Sequence, residues 1–276
     1  MPELPEVEVI CRGVRPFLEN RTLKAIYHNG KRLRHEVPID AMNEHLLHNR
    51  IMDIERRAKY IILRFETSAL LILHFGMTGN LGIFPLGTPV AKHDHIRFLL
   101  DNDTELRLND TRRFGSVHVV SPGDQIGIEQ EFFKTTGPEP FAETFSGKYL
   151  QKLAQGKNQP VKTFIMTNQT VAGIGNIYAS ESLFAAGINP SRKAKNISLK
   201  RWNKLVDEMR KILKHAISCG GSTISDFVNA SQEKGYFQMN FKVYGRDGQN
   251  CLICSSTIDK ITIGGRASYY CKKCQK

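Results

Sequence analysis

Ile51-Met52-Asp53-Ile54-Glu55 and Tyr60-Ile61-Ile62-Leu63-Arg64-Phe65 are two short runs rich in β-branched and aromatic residues, separated by Arg56-Arg57-Ala58-Lys59. They are too short and too β-branched for independent helices, so both read as strands. Upstream, residues 5–19 repeat apolar side chains at helical spacing, and the period therefore switches from helix to strand. Apolar runs at Leu70–Phe75, Ile96–Leu100 and Val117–Val120 continue the strand pattern. Gly76, Gly79, Asn102-Asp103 and Pro122-Gly123 punctuate them as turns. The first part of the chain is expected to be a β-sandwich led by one helix and closed near Val120.

Beyond Gly123 the pattern becomes helical, with candidates at Gly147–Gln155, Val161–Asn168, Asn176–Ala186 and Ser198–Ser218, the last opened by Ser198 as N-cap. Gly220-Gly221 ends that helix, and Ser222 can cap a new short one. Residues 235–244 return to aromatic, strand-like sequence. The fold class is α+β multidomain, with expected segments 1–122 (N-terminal β-sandwich), 123–240 (helical) and 241–276 (a metal-binding hairpin).

The metal expectation rests on Cys251-Leu252-Ile253-Cys254 and Cys271-Lys272-Lys273-Cys274. The intervening residues 255–270 lie within the spacing of a four-cysteine zinc ribbon, about 15–20 residues. Ile258–Ile263 and Arg266–Tyr270 fit the two strands of its hairpin. Four thiolates close a tetrahedral shell, so one structural Zn2+ is expected and a catalytic zinc is not. A redox pair is the alternative, but neither CxxC lies in a βαβ setting. Cys11 and Cys219 stand apart.

Charge points to the partner. Lys and Arg number 39 against 27 Asp and Glu, a formal net charge of +12. Such an excess suits a polyanion, nucleic acid before membrane surface. Basic residues crowd Arg192–Lys214, although helical periodicity turns part of that run into an ordinary solvated face. With no signal pattern and no apolar run of bilayer length, an intracellular, cytoplasmic monomer is expected.

Chemistry is offered at the chain start, Met1-Pro2-Glu3-Leu4-Pro5-Glu6-Val7-Glu8. On spacing alone this is a helix-start signature, with Pro5 and acidic residues in the first turn. Removal of Met1 would also expose the secondary amine of Pro2 beside Glu3. A terminal amine titrates near pH ~7.7–8.0, so roughly a tenth is neutral and nucleophilic at pH 7. Such an amine can form a Schiff base at a sugar carbon without a specially depressed lysine.

The same chain carries Arg56-Arg57-Ala58-Lys59-Tyr60, His74-Phe75-Gly76-Met77-Thr78-Gly79, Lys92-His93-Asp94-His95, Asp110-Thr111-Arg112-Arg113-Phe114-Gly115, Gly173–Glu181 and Gly265–Cys271. In this order and over essentially the whole length, it resembles the formamidopyrimidine-DNA glycosylases. The resemblance implies an N-terminal β-sandwich, a helix-two-turn-helix domain and a C-terminal zinc finger. It implies base-excision repair of damaged double-stranded DNA: a damaged nucleotide is flipped out and Pro2 attacks its anomeric carbon with Glu3 as proton donor. The target class is oxidised purines, 8-oxoguanine and formamidopyrimidines.

Lys59 then matches the residue for proton transfer in β-elimination and Arg266 that for δ-elimination, the guanidinium holding phosphate. Met77, Arg112 and Phe114 match the set that fills the hole left in the duplex, where core packing is the ordinary reading of Met77 and Phe114. His93, Lys157 and Asn176 match DNA-backbone contacts. His74 is expected to support the site, and Lys162 with the loop Gly220–Tyr236 to shape the damaged-base pocket. Thr111 replaces a proline common in the family and is expected to loosen its turn. Two other readings stand beside this one: an endonuclease VIII-like enzyme for oxidised pyrimidines, and a zinc-ribbon DNA-binding protein without chemistry.

Overall fold

The computed structural model describes residues 1–123, 130–222 and 237–276. Contacts divide the chain into two compact units, Met1–Lys134 with Cys219–Tyr236, and Thr135–Ser218 with Phe237–Lys276.

In the first unit, α1 (Leu4–Leu18) begins with a capping box between Glu3 and Glu6 and carries Pro5 in its opening turn, where the missing N–H costs nothing. Val7, Ile10, Cys11, Val14 and Leu18 recur at steps of three and four and share one buried face. That face enters a single core with inward residues of eight strands: β1 (Leu23–His28), β2 (Ile51–Arg57), β3 (Tyr60–Phe65), β4 (Leu70–His74), β5 (Gly79–Pro85), β6 (Asp94–Leu100), β7 (Thr104–Asp110) and β8 (Ser116–Val120). They form two antiparallel sheets, ordered β1-β6-β7-β5 and β2-β3-β4-β8. This is the expected sandwich. A short helix, α2 (Ile39–His45), is also present.

The β3 run is apolar at successive positions because its sheet is covered on both faces. Ile61 and Leu63 enter the main core, whereas Ile62 joins Leu70, Ile72 and Val120 under Tyr60, Phe132 and Phe133. Each such aliphatic side chain contributes about 1.5–3 kcal/mol by leaving water. Strands β1, β5 and β7 are additional to those expected. The β7 pattern is masked by charge, because Glu105 and Arg107 are buried and bonded to each other, with Arg107 also reaching Asp94 at 3.4 Å.

In the second unit, α3 (Gly147–Leu153) is capped by Ser146, whose Oγ accepts the Tyr149 N–H at 3.2 Å. Three further helices follow, α4 (Val161–Met166), α5 (Asn176–Ala186) and α6 (Leu199–Ser218). Helix α5 is buried almost all round and stops at Gly187, left-handed at φ 72°. Helix α6 buries Trp202, Leu205, Val206, Met209 and Leu213, leaving Lys200, Lys204, Lys211 and Lys214 exposed. Arg210 is different: its guanidinium ties down the carbonyls of Pro140, Ala142 and Phe145.

The hairpin strands are β9 (Asp259–Ile263) and β10 (Arg266–Tyr270), paired from Arg266↔Ile263 to Tyr270↔Asp259. One expectation fails here. Residues 237–244 form a 3-10 turn (Phe237–Asn240) and irregular backbone instead of a strand. The N–H groups of Lys242, Val243 and Tyr244 are satisfied by the buried Glu181 carboxylate at 2.8–3.0 Å, which substitutes for a ladder. Among the described residues no helix is long and apolar enough to cross a membrane. The short helix expected after Ser222, and the part of the expected base-pocket loop at residues 223–236, lie outside the described residues.

Candidate active site and zinc centre

At the chain start, Pro2 and Glu3 are both buried, although Met1 is 40% exposed. The Glu3 N–H donates to Glu6 Oε2 at 2.9 Å. The other oxygen of Glu6 accepts both the N–H and the hydroxyl of Ser222, at 2.9 and 2.8 Å. Burial holds the Met1 amine below its ordinary value; Glu3 and Glu6 oppose that shift, and Lys59 and Arg112 reinforce it. A poorly hydrated amine facing other cations is more often neutral, which is what a nucleophile requires.

Lys59 is placed by the β2–β3 hairpin. Ala58 is left-handed at φ 55°, and Arg56 donates to its carbonyl at 3.0 Å. Arg56 is itself held by Glu8 of α1 at 2.7 Å. Helix and hairpin are thus joined by one guanidinium, which brings Lys59 within electrostatic reach of the chain-start amine. His74 lies across from Tyr60 in the β3–β4 pairing, their rings 4.8 Å apart. Its Nδ1 accepts the Gly76 N–H at 3.1 Å. Burial, with Lys59 and Arg34 adding to it, pushes the imidazole down to about 4, so it is neutral at pH 7 and supports the turn without acting as an acid.

Met77 and Phe114 are 39% and 45% exposed, so core packing does not account for them. Each sits on a turn, and the two turns touch backbone to backbone. A Cβ on Gly76 would lie 2.3 Å from the carbonyl carbon of Phe114. Arg112 is exposed, with its guanidinium over the Phe114 ring at 4.7 Å. Its N–H donates to Thr78 Oγ1 at 3.0 Å and to Asp110 Oδ1 at 3.2 Å. These bonds fasten the turn on the C-terminal side of Thr111. His93 is half-buried, and its carbonyl accepts the Asp110 N–H at 3.1 Å. The Asp110 carboxylate and Glu6 were not expected as site residues; both carry polar atoms at turn-flanking positions, but only the tertiary contacts distinguish them from helix or turn caps.

In the second unit, Arg266 is exposed at the start of β10, beside the left-handed pair Gly264-Gly265. Lys162, expected at the base pocket, is held among the described residues by β10. Its buried ammonium donates to the Ala267 carbonyl at 2.8 Å and to Ser268 Oγ at 2.7 Å, fastening the strand that carries Arg266. Lys157 is exposed, its backbone pairing with Ala154 and Lys195. Asn176 is the first residue of α5, the positive end of the helix dipole, and its Oδ1 is buried without a partner among the described residues.

The four cysteines converge as the spacing requires. Their sulfurs lie within 4.8 Å of one another, with Cys251–Cys274 at 3.8 Å and Cys254–Cys271 at 3.5 Å. A tetrahedral ion with bonds of about 2.3 Å separates its sulfurs by about 3.8 Å. Burial and the neighbouring thiols push Cys274 up to about 12, so a divalent cation is needed to hold all four as thiolates. The donor set fits one structural Zn2+ closed to further ligands.

A helix-led β-sandwich, and a helical unit ending in a four-cysteine hairpin, define a zinc-binding α+β protein. Family models match along the chain: the formamidopyrimidine-DNA glycosylase N-terminal domain at residues 1–117, its H2TH domain at 136–228, and a zinc finger found in FPG and IleRS at 248–276. A formamidopyrimidine-DNA glycosylase of Pseudomonas paraeruginosa is 44% identical over 277 residues, covering 100% of both chains. Lactococcus lactis Fpg in complex with DNA containing an abasic site superimposes with TM-score 0.90 at 31% identity, covering 99% of each chain. The wild-type Lactococcus lactis enzyme with N7-benzyl-Fapy-dG DNA gives 0.91 at 30% identity and full coverage. The chain belongs to the formamidopyrimidine-DNA glycosylase family.

Proposed function

We propose that this protein is a bifunctional base-excision repair enzyme that binds damaged double-stranded DNA, excises oxidised purines such as 8-oxoguanine and formamidopyrimidines, and then nicks the abasic strand. The observation that carries the reading is the buried Pro2-Glu3 start, where the neighbouring Met1 amine is destabilised as a cation and feels the charge of Lys59. With Met1 removed, the Pro2 nitrogen, an amide in the intact chain, becomes a terminal secondary amine.

Its lone pair forms a bond to C1′ of the flipped nucleotide as the glycosidic bond breaks and the base leaves; the nitrogen gives up its proton, Glu3 protonates O4′, and the C1′–O4′ bond opens to an iminium. The iminium acidifies C2′–H. Lys59 takes part in the proton transfer that accompanies expulsion of the 3′ phosphate, and Arg266 holds the 5′ phosphate during the second elimination. Met77, Arg112 and Phe114 occupy the space vacated by the base, and His93, Lys157 and Asn176 bind phosphates. The zinc ion, held by Cys251, Cys254, Cys271 and Cys274, supplies no chemistry; it fixes the hairpin bearing Arg266. In domain terms the assignment is 1–122 catalytic sandwich, 123–240 helix-two-turn-helix and 241–276 zinc finger, in an enzyme acting as a cytoplasmic monomer.

Borohydride trapping on an 8-oxoguanine duplex tests the mechanism. The expected product is a covalent complex through Pro2, located by mass spectrometry, with base release and a nicked strand. An N-terminally extended or Pro2→Gly variant that traps and cleaves as well as the unmodified chain would refute the amine mechanism. Faster excision of thymine glycol than of 8-oxoguanine would move the substrate class to oxidised pyrimidines.

A further inference from the structure

Resting on the reading that Met77, Arg112 and Phe114 fill the vacated space in DNA, we propose that Asp110 is the positioning residue that makes these three side chains one rigid wedge. It ends β7 and is fully buried. One carboxylate oxygen accepts the Thr78 hydroxyl and the Arg112 N–H, and the other accepts the Gly115 N–H at 2.8 Å. A single side chain therefore closes the turn after Met77 onto the turn that carries Arg112 and Phe114. Thr78 completes the clasp, since its Oγ1 donates to Asp110 and accepts from Arg112 at 3.0 Å.

The backbone of Asp110 is fixed as well. Its N–H donates to the His93 carbonyl at 3.1 Å, and its carbonyl pairs with the His95 ring at 2.8 Å and with the Arg113 N–H at 3.3 Å. Arg113 is held left-handed at φ 57°, which reverses the chain and presents Arg112 and Phe114 side by side. Gly115 is needed for the same reason, because a Cβ there would meet the His74 carbonyl at 2.8 Å. Two turns packed backbone against backbone cannot move independently. A wedge that enters base stacking must resist being pushed aside, and shared buried hydrogen bonds supply that resistance.

The test compares two reactions of the zinc-loaded full chain: single-turnover excision from an 8-oxoguanine duplex, and nicking of a single-stranded abasic oligonucleotide, which has no stacked duplex to enter. Thr78→Val removes both hydrogen bonds of the Thr78 hydroxyl, and Asp110→Asn replaces an acceptor oxygen with a donor. Both are expected to slow duplex excision about tenfold or more, the effect of one buried hydrogen bond, while single-strand nicking stays within about twofold. Thr78→Ser, which keeps the hydroxyl, is expected to retain the duplex rate. Equal loss on both substrates, or an unchanged duplex rate in Thr78→Val, would overturn the clasp while leaving the proposed activity standing. An unmodified chain inactive on both substrates would overturn that activity and the clasp with it.

Discussion

Glu6 and Ser222, 216 positions apart in sequence, are joined by two hydrogen bonds to one carboxylate oxygen, from the serine N–H at 2.9 Å and its hydroxyl at 2.8 Å. The second oxygen of Glu6 accepts the Glu3 N–H at 2.9 Å. One buried carboxylate thus sets the backbone beside Pro2, the proposed nucleophile, and the chain immediately before residues 223–236. Gly221, left-handed at φ 79°, makes room, since a Cβ there would lie 3.3 Å from the Glu6 side chain.

Glu6→Gln should disturb both connections, because an amide has one acceptor oxygen and its nitrogen would face a donor. The expected cost is about 1–3 kcal/mol of stability for an unsatisfied buried group. Urea unfolding measures that cost, and borohydride trapping should fall while affinity for undamaged duplex, read by fluorescence anisotropy, stays the same. Unchanged stability and trapping would contradict the role given to Glu6.

His74 makes a pH prediction. Its folded value of about 4 lies below the ordinary 6.5, because burial comes first among the causes and Lys59 and Arg34 add to it. The unfolded chain therefore binds the proton more readily, so this stabilisation is complete above pH 6.5 and is lost as pH falls from 6.5 toward 4. The loss is at most about 3 kcal/mol. His74→Asn keeps an acceptor for the Gly76 N–H but cannot titrate, and its stability should fall less steeply over that window in parallel urea titrations. Identical pH profiles would remove His74 as the source.

Gly264→Ala should destabilise the hairpin turn, because its Cβ would come within 2.6 Å of Thr163 Cγ2 at a left-handed φ of 56°. The steric part, roughly 1–3 kcal/mol, should be relieved by adding Thr163→Ser, which removes that methyl group. The conformational part, of order 1 kcal/mol, should persist. A double-mutant cycle with no coupling would show that the two side chains do not meet.

Zinc removal should act locally. Cys251 and Cys271 belong to a small core with Phe184, Val243 and Ile258, so loss of the ion opens that cluster as well as the metal shell. Metal analysis should give one zinc per chain. After chelation, hydrogen exchange should rise in residues 247–276 and DNA affinity should fall, while strands β3 and β4 keep their protection. Full protection of the hairpin in a verified metal-free sample would contradict this account.

Local chemistry made much of this legible beforehand. The α1 face, the runs that become β2, β3, β4, β6 and β8, the helices α3–α6 and the hairpin all announce themselves through periodicity, and the CxxC pairs through ligand spacing. Strand β7 escaped because its buried Glu105 and Arg107 neutralise each other and hide the alternation. The segment 237–244 misled because aromatic residues fit either a strand or a packed turn, and the choice was made by Glu181 from a distant helix. The bonds of Lys162 to Ala267 and Ser268 could not be read beforehand, because those partners lie 105 and 106 positions away.

By itself the order of residues determined most of the secondary-structure menu, the zinc ligands and the groups offered at the chain start, since each shows as a pattern of residue types along the chain. Tertiary structure alone decided that Glu6 grips Ser222, that Asp110 clasps two turns, and that Lys162 is a brace. Those roles come from buried polar atoms whose partners lie far along the chain. Burial requires each such atom to find a partner, but only the folded backbone determines which one is within reach.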